Sequence, residues 1–165
     1  MVLRLTHLLS LTLILAFSWN FAMCNDTKLP DPTTWNSNLK PWLYEDDVIE
    51  DGSNIMTLNT PYRALDAAIM PVSLQFHIPQ LKEMFIKSVT FIVDENPSPI
   101  VGTFKTSLKS GNADISTKIR IDKYTYVRVI AEANDGKKYM VSNYVKAAGG
   151  CSAPSLADMD TMMAR

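Results

Sequence analysis

Histidine and cysteine are nearly missing from this chain, with two of each in 165 residues. The histidines are His7 and His77, the cysteines Cys24 and Cys151, and no two of the four stand at the spacing of a zinc ligand set. No resident metal and no other cofactor is therefore expected. A G-x-S-x-G elbow is also lacking and neither histidine has a nucleophile beside it, which removes serine-type hydrolysis. Neither sign of charge dominates, because 16 Lys and Arg against 17 Asp and Glu leave a net charge of −1. A nucleic-acid or anionic-membrane surface would need an excess of basic residues, so neither partner is expected. Internal repeats and low-complexity stretches are absent, and no apolar run is long enough to span a bilayer comfortably.

What remains is an ordinary globular balance, 47% hydrophobic and 20% charged, enough for one domain with a genuine core. Its N-terminus has the pattern of an export signal: Arg4 and His7, then the apolar run "LLSLTLILAF", then small residues near Ala22. Cleavage with Ala22 and Cys24 in the two small-residue positions makes residues 1–24 the signal peptide and starts the mature chain at Asn25, with no membrane attachment. In the rival reading Cys24 is the lipid-carrying first residue of a lipoprotein; Met23 fits the position before such a cysteine poorly. If Cys24 leaves with the signal, Cys151 is alone in an oxidising compartment and cannot form an internal disulfide. It is then a reactive thiol, an intermolecular bridge or a buried bystander.

Residues 25–53 read as an entry segment. In "DPTTWNSNLKPWLYED", Asp31 stands in cap position and Pro32 as first helical residue, which predicts a short helical segment that Pro41 interrupts or ends. Trp35, Leu39, Trp42 and Leu43 would form its apolar face, as core cover rather than a ligand cage. From residue 54 the pattern has period two. "MFIKSVTFIVDEN" places Phe85, Val89, Phe91 and Val93 on one face, and "ISTKIRI" places Ile115, Thr117, Ile119 and Ile121 together. "YVRVIAEA" sets Val127, Val129, Ala131 and Ala133 against an outer Arg128 and Glu132, and "KKYMVSNYV" offers Tyr139, Val141 and Val145. Turns punctuate these runs at "DENPSP", at "KSGNAD" and at Asp135-Gly136. Strands are expected near 54–59, 67–76, 84–93, 100–108, 113–122, 125–134 and 137–147. That is the spacing of an all-β, immunoglobulin-like β-sandwich of about seven antiparallel strands over residues 54–148, in which Tyr124 would pin a loop.

Residues 149–165 change character. Gly149 and Gly150 precede Cys151, and "APSLADMDTMMAR" then sets Leu156, Met159, Met162 and Met163 at helical spacing. Cys151 with these methionines is a donor set that Cu(I) accepts, although methionines so spaced also make an ordinary hydrophobic face. The glycines lack a β-carbon, so they let the chain swing and let another protein's backbone approach closely. Three extended residues reach about 10 Å, enough for a thiol to enter a partner's cleft. A cysteine of ordinary acidity, with a pKa of about 8.5, is a few per cent thiolate near neutral pH. Lys146 would raise that fraction if it lay close. No general base neighbours Cys151 in sequence, which favours a carrier activated in a partner's active site over a self-sufficient cysteine enzyme. The acidic cluster "EDDVIED" and the stretch "GNADIS" read as structural.

Three stretches, "TPYRALDAAIMPVSL", "FIVDENPSPIVGTF" and "IRIDKYTYVRVIAEANDGKKYMVSNYVKAAGGC", resemble the SoxY sulfur-carrier proteins. The resemblance is greatest to the SoxYZ-like carriers associated with quinoprotein dehydrogenases, and it covers roughly residues 55–153. It implies a periplasmic, non-catalytic domain that works with a SoxZ-like subunit or domain. It also implies that Cys151 is the attachment residue for sulfur-oxidation intermediates and that Gly149 and Gly150 form its arm. Two features differ: Ser152 and Ala153 stand where the carriers have trailing glycines, and the Met-rich tail stands where the fused relatives begin a SoxZ-like domain. A reading of another class is an accessory or binding module of a periplasmic dehydrogenase system, in which Cys151 is incidental.

Overall fold

The computed structural model describes residues 29–147. The signal segment 1–24, the arm residues Gly149, Gly150 and Cys151, and the Met-rich tail lie outside the described residues. Within them the strands are β1 (Ile49–Asp51), β2 (Met56–Asn59), β3 (Arg63–Ala64), β4 (Met70–Phe76), β5 (Ile86–Val93), β6 (Ile100–Lys105), β7 (Ile115–Ile119), β8 (Thr125–Ala133) and β9 (Lys138–Ala147). One sheet has the order β1-β9-β8-β5-β6, with β3 also on β9; the other has the order β2-β4-β7. Each of the seven strands anticipated from periodicity is present. β1 and β3 are additional, and both run parallel to β9, so the pairing is not purely antiparallel. With three and two residues they are too short to show an alternation.

The two sheets close on a core that follows the alternation. Along β4, Met70, Val72, Leu74 and Phe76 point inward, and Pro71 and Gln75 outward. Facing them are Val89, Phe91 and Val93 of β5, Val127, Val129 and Ala131 of β8, and Val145 of β9. Burying each such aliphatic or aromatic side chain contributes about 1.5–3 kcal/mol, which is what commits these runs to one face. The β8–β9 hairpin turns through Gly136 at φ 86°, a left-handed conformation that suits glycine. Tyr124 packs partly buried against this core.

β5 departs from the expected alternation at its start. Its register against β8 shifts between Ile86 and Ser88, leaving Lys87 as an extra residue. The bulge places Ile86 in the core, while Phe85 is only half-buried. An inserted residue inverts the facing of everything before it, and period two alone does not show where the insertion falls.

The larger departure is on β8. Every residue from Val127 to Ala131 is buried, Arg128 included at 3% exposure. Arg128 was expected to face water; instead the outer face of the large sheet carries a third layer. A π-helical turn, Trp35–Leu39, runs directly into the short helix α1, Lys40–Tyr44. Trp35 and Leu39 pack there on Ile92 and Ile130, with Leu43, Tyr44, Ile49 and Met140 around them. Pro41 does not end this segment. It sits in the first turn of α1, just after the Lys40 N–H has bonded back to the Trp35 carbonyl, so the missing proline N–H is lost where the winding already changes. The wider turn also rotates the face: Tyr44 joins the cluster and Trp42 is left 68% exposed.

Arg128 is held on all sides beneath this cover. Its Nε donates to both oxygens of Asp94 at 2.9 and 3.0 Å, and Nη2 donates to Oδ2 at 2.8 Å. The guanidinium carbon lies 4.8 Å from the Trp35 ring centroid and 4.9 Å from that of Tyr126. Burial pushes the Asp94 carboxyl above its ordinary pKa, while Arg128 pulls it back in part. Thr34 donates its hydroxyl to Glu95, tying the helical cover to the turn that carries Asp94.

Asp94→Asn leaves the Arg128 charge buried without its counter-ion and is expected to destabilise the fold by about 3–5 kcal/mol. The double variant Asp94→Leu/Arg128→Met should recover most of this loss, and denaturant melts of both proteins decide it. Tyr44 provides a second test. Burial first, then the charges of Glu132 and Asp47, push its phenol up to about 12. A group with a raised folded pKa stabilises fully below its unfolded value and loses that contribution as pH rises through the folded one. Wild-type stability should therefore fall more steeply than that of Tyr44→Phe between about pH 10 and 12, measured by urea melts across that range.

Candidate functional site

The arm is the natural place to look for chemistry, and β9 leads to it. Most of β9 pairs antiparallel with β8, from Lys138 opposite Glu132 to Val145 opposite Thr125. Beyond Val145 a different strand takes over. β3 pairs in parallel, Arg63 with Lys146 and Ala64 with Ala147, and the Lys146 N–H donates to the Tyr62 carbonyl at 2.8 Å. Val145, Ala147 and Ala64 are all buried, at 0%, 1% and 1% exposure. The last described residue before the arm is thus a fixed point in the core. Cys151 follows four residues later. At roughly 3.3–3.6 Å per extended residue, its α-carbon stays within about 14 Å of that of Ala147.

Tyrosines gather at this end of the sandwich. Tyr126 and Tyr144, cross-strand partners on β8 and β9, meet edge to face with centroids 5.1 Å apart. Burial, then the proximity of Tyr126, Tyr62, Tyr124 and Glu95, pushes the Tyr144 phenol upward. The four groups named lie close enough to Tyr144 to act on it. Lys146 holds its ammonium 5.2 Å from the Tyr62 ring centroid. It is the nearest preceding cation to Cys151 in the chain, so its charge is stationed at the root of the arm. Tyr126 also stacks on Arg128, which links the buried ion pair to this end of the molecule.

The remaining candidates resolve into structural parts. His77 lies just past β4, where it shares a hydrogen bond of 2.7 Å with the Thr57 hydroxyl. In the acidic cluster, Asp47 pairs with Lys138 at 2.8 Å. Asp51 accepts hydrogen bonds from the Ser53 hydroxyl and N–H, which lower its carboxyl below the ordinary pKa. Asp114 accepts the Phe76 N–H at 2.8 Å. An open groove of about 680 Å³ over β2, β4 and β7 carries Thr60, Ser73, Ser116 and Lys118 but no histidine, cysteine or carboxylate, so it offers no obvious acid–base pair. Among the described residues no group of three or more His, Cys, Asp or Glu could hold a metal ion. None of their helices is long and apolar enough to cross a membrane.

Sequence reasoning located the thiol but missed the strand that fixes its root. A two-residue β3 leaves no periodic signal, and residues 60–66 fall between the strands expected at 54–59 and 67–76. Ala64 and Ala67, two of the three alanines in "TPYRALDAAIM", are buried among larger neighbours, and such small residues were the available hint.

A family model described as the sulfur oxidation protein SoxY matches residues 41–151, two thirds of the chain, and its last matched position is Cys151. No curated protein matches the sequence. Among solved structures, a variant of the superoxide reductase (neelaredoxin) from Ignicoccus hospitalis is similar with a TM-score of 0.50, covering 56% of this chain and 79% of that chain at 11% identity. A second variant of the same protein also gives 0.50, over 70% and 90% of the two chains at 9% identity. Likeness at such identity concerns the fold alone.

If the root of the arm is fixed by close packing of small residues, enlarging one of them should loosen it. Ala147→Leu is expected to destabilise the domain by about 1–3 kcal/mol. Faster hydrogen exchange of the Lys146 amide than of the Val129 amide in the same variant would place the damage at β3–β9 rather than throughout the sandwich.

Proposed function

The chain belongs to the SoxY family of sulfur oxidation proteins, and on that premise we propose that it is a periplasmic carrier holding sulfur-oxidation intermediates covalently on Cys151 while partner enzymes act on them. The observation that carries this reading is the coincidence of two limits. The family match runs to Cys151 itself, and β9 is locked into the core up to Ala147. A thiol tethered four residues from a rigid anchor is confined to a small volume, so a docked enzyme meets it at high effective concentration. Gly149 and Gly150 lie in the tether, where their lack of β-carbons suits passage through a narrow entrance.

The chemistry asks little of the sandwich. Joining the Cys151 thiolate to a sulfur anion such as thiosulfate forms a sulfur–sulfur bond and releases two electrons, which pass to an acceptor in the loading enzyme. Later oxidation or hydrolysis of the adduct takes place in other active sites. The carrier supplies the thiol, its tether and a recognisable body. In this reading it works with a SoxZ-like subunit, in the setting of a quinoprotein-dehydrogenase system.

Cys151→Ser is expected to melt within about 0.5 kcal/mol of wild type, since a residue beyond the last strand contributes little packing, and to lose the carrier function entirely. Serine offers no thiolate and cannot form a sulfur–sulfur bond. Gly150→Pro should keep the thiol but reduce loading, because it restricts the tether. Intact mass of protein purified from its own periplasm reads the outcome: sulfur-sized adducts on wild type, fewer on Gly150→Pro, none on Cys151→Ser. A normally folded Cys151→Ser protein that supports full pathway activity would overturn the carrier reading.

A further inference from the structure

The loop between β3 and β4 is pinned at several points and still turns its largest side chains to solvent. Ala64 and Ala67 are buried at 1% and 2% exposure, and Met70 at 0%. The Ala67 carbonyl accepts the Ile121 N–H at 2.8 Å, and Asp66 Oδ1 closes a turn by accepting the Ala68 N–H at 2.8 Å. Between these fixed points Leu65 is 92% exposed and Ile69 54%, and Tyr62, just before β3, is 50% exposed. Single exposed apolar residues are ordinary on protein surfaces. Three within eight residues, on a backbone held too firmly to fold them in, form a presented surface. Arg63 is exposed in the same segment and makes no ion pair among the described residues, and Lys146 adds a second positive charge over Tyr62.

Position gives this surface its meaning. Leu65 follows Ala64, whose partner across the ladder is Ala147, and β3 and β9 run in the same direction. The loop after Ala64 and the chain after Ala147 therefore start from adjacent positions at one end of the sheet. Because the α-carbon of Cys151 stays within about 14 Å of that of Ala147, a protein that takes the thiol into a cleft must bring the rim of that cleft against this end of the sandwich. We propose that Tyr62, Arg63, Leu65 and Ile69 form the docking surface for the enzyme that loads Cys151. The fitting partner has an apolar cup at the mouth of its active site, bordered by a carboxylate that meets Arg63. Three apolar side chains and one cation make a small interface, which suits a carrier that must dissociate after each transfer. This inference rests on the carrier reading of Cys151 and adds to it the surface by which the loading enzyme recognises the carrier's body.

The test uses the full chain produced in its own host, as wild type, Leu65→Ser/Ile69→Ser and Arg63→Glu. Three quantities are read for each: the fraction of Cys151 carrying an adduct by intact mass, the melting temperature, and the rate at which Cys151 reacts with a small aromatic disulfide. The double variant should lose about tenfold in adduct occupancy and Arg63→Glu severalfold, with the other two quantities unchanged. If the double variant melts lower, Arg63→Glu decides alone, since it alters one exposed charge. A loaded wild type beside equally loaded variants overturns the docking surface and leaves the carrier reading standing. A wild type without adduct overturns the carrier reading and the docking surface with it. Loss of a permanently bound subunit or second copy in the variants, seen by native mass, would make the patch a subunit seat and overturn the proposal of transient enzyme docking.

Discussion

The buried pair of Arg128 and Asp94 is the contact on which the outer layers of this protein depend. A guanidinium inside a sheet is tolerable only when its charge is matched and its hydrogen bonds are made, and here one carboxylate meets it through three contacts of 2.8–3.0 Å. Trp35 and Tyr126 both lie against the ion, with ring centroids 4.8 and 4.9 Å from its central carbon. One group thereby joins three parts of the chain: the helical entry segment, the turn after β5, and β8. Removing the cover would expose the pair to water, and removing the pair would take from the cover the ion on which Trp35 rests. The arrangement makes the helical segment Trp35–Tyr44 part of the domain.

From that pair a line of contacts runs to the end of the sandwich where the chain continues toward Cys151. Arg128 stacks on Tyr126, Tyr126 on Tyr144, and Tyr144 lies on β9, three residues before Ala147. β9 itself is the organising strand, with β8 along one side and the short parallel strands β1 and β3 along the other. Without β3, the last two residues of β9 would leave the ladder unpaired once β8 ends at Thr125, and the fixed root of the tether would move back into the sheet. For a carrier this matters, because a short linking segment gains effective concentration only if its origin does not wander.

The likeness to superoxide reductase structures illustrates how little a shared sandwich says about chemistry. At 9–11% identity the two kinds of chain share an arrangement of strands, and function on such folds is set by what the loops and ends carry. Here Cys151 follows the end of β9 by four residues, and the described residues hold no cluster of ligands for a metal ion.

Period-two alternation by itself determined the inner faces of β7, β8 and β9 and of β5 from Val89 onward, because side chains on a pleated strand alternate and one face must leave water; turn residues marked three of the breaks between the seven longer strands. Local composition was equally enough to single out Cys151: two glycines before it and no base beside it are properties of neighbouring residues. The rest was decided by contacts between residues far apart in sequence. β1 and β3 exist because β9 offers them an edge, and segments of two or three residues have no pattern of their own. The bulge at Lys87 moved Ile86 inward through a register that only pairing with β8 defines. Arg128 reads as an outward residue in any count along "YVRVIAEA". Its burial required Trp35, 93 positions earlier, to lie across it, and Asp94, 34 positions earlier, to neutralise it. Alternation can mark which residues share a face; whether that face meets water or a further layer is settled by the tertiary structure, since it depends on what else the chain can bring there.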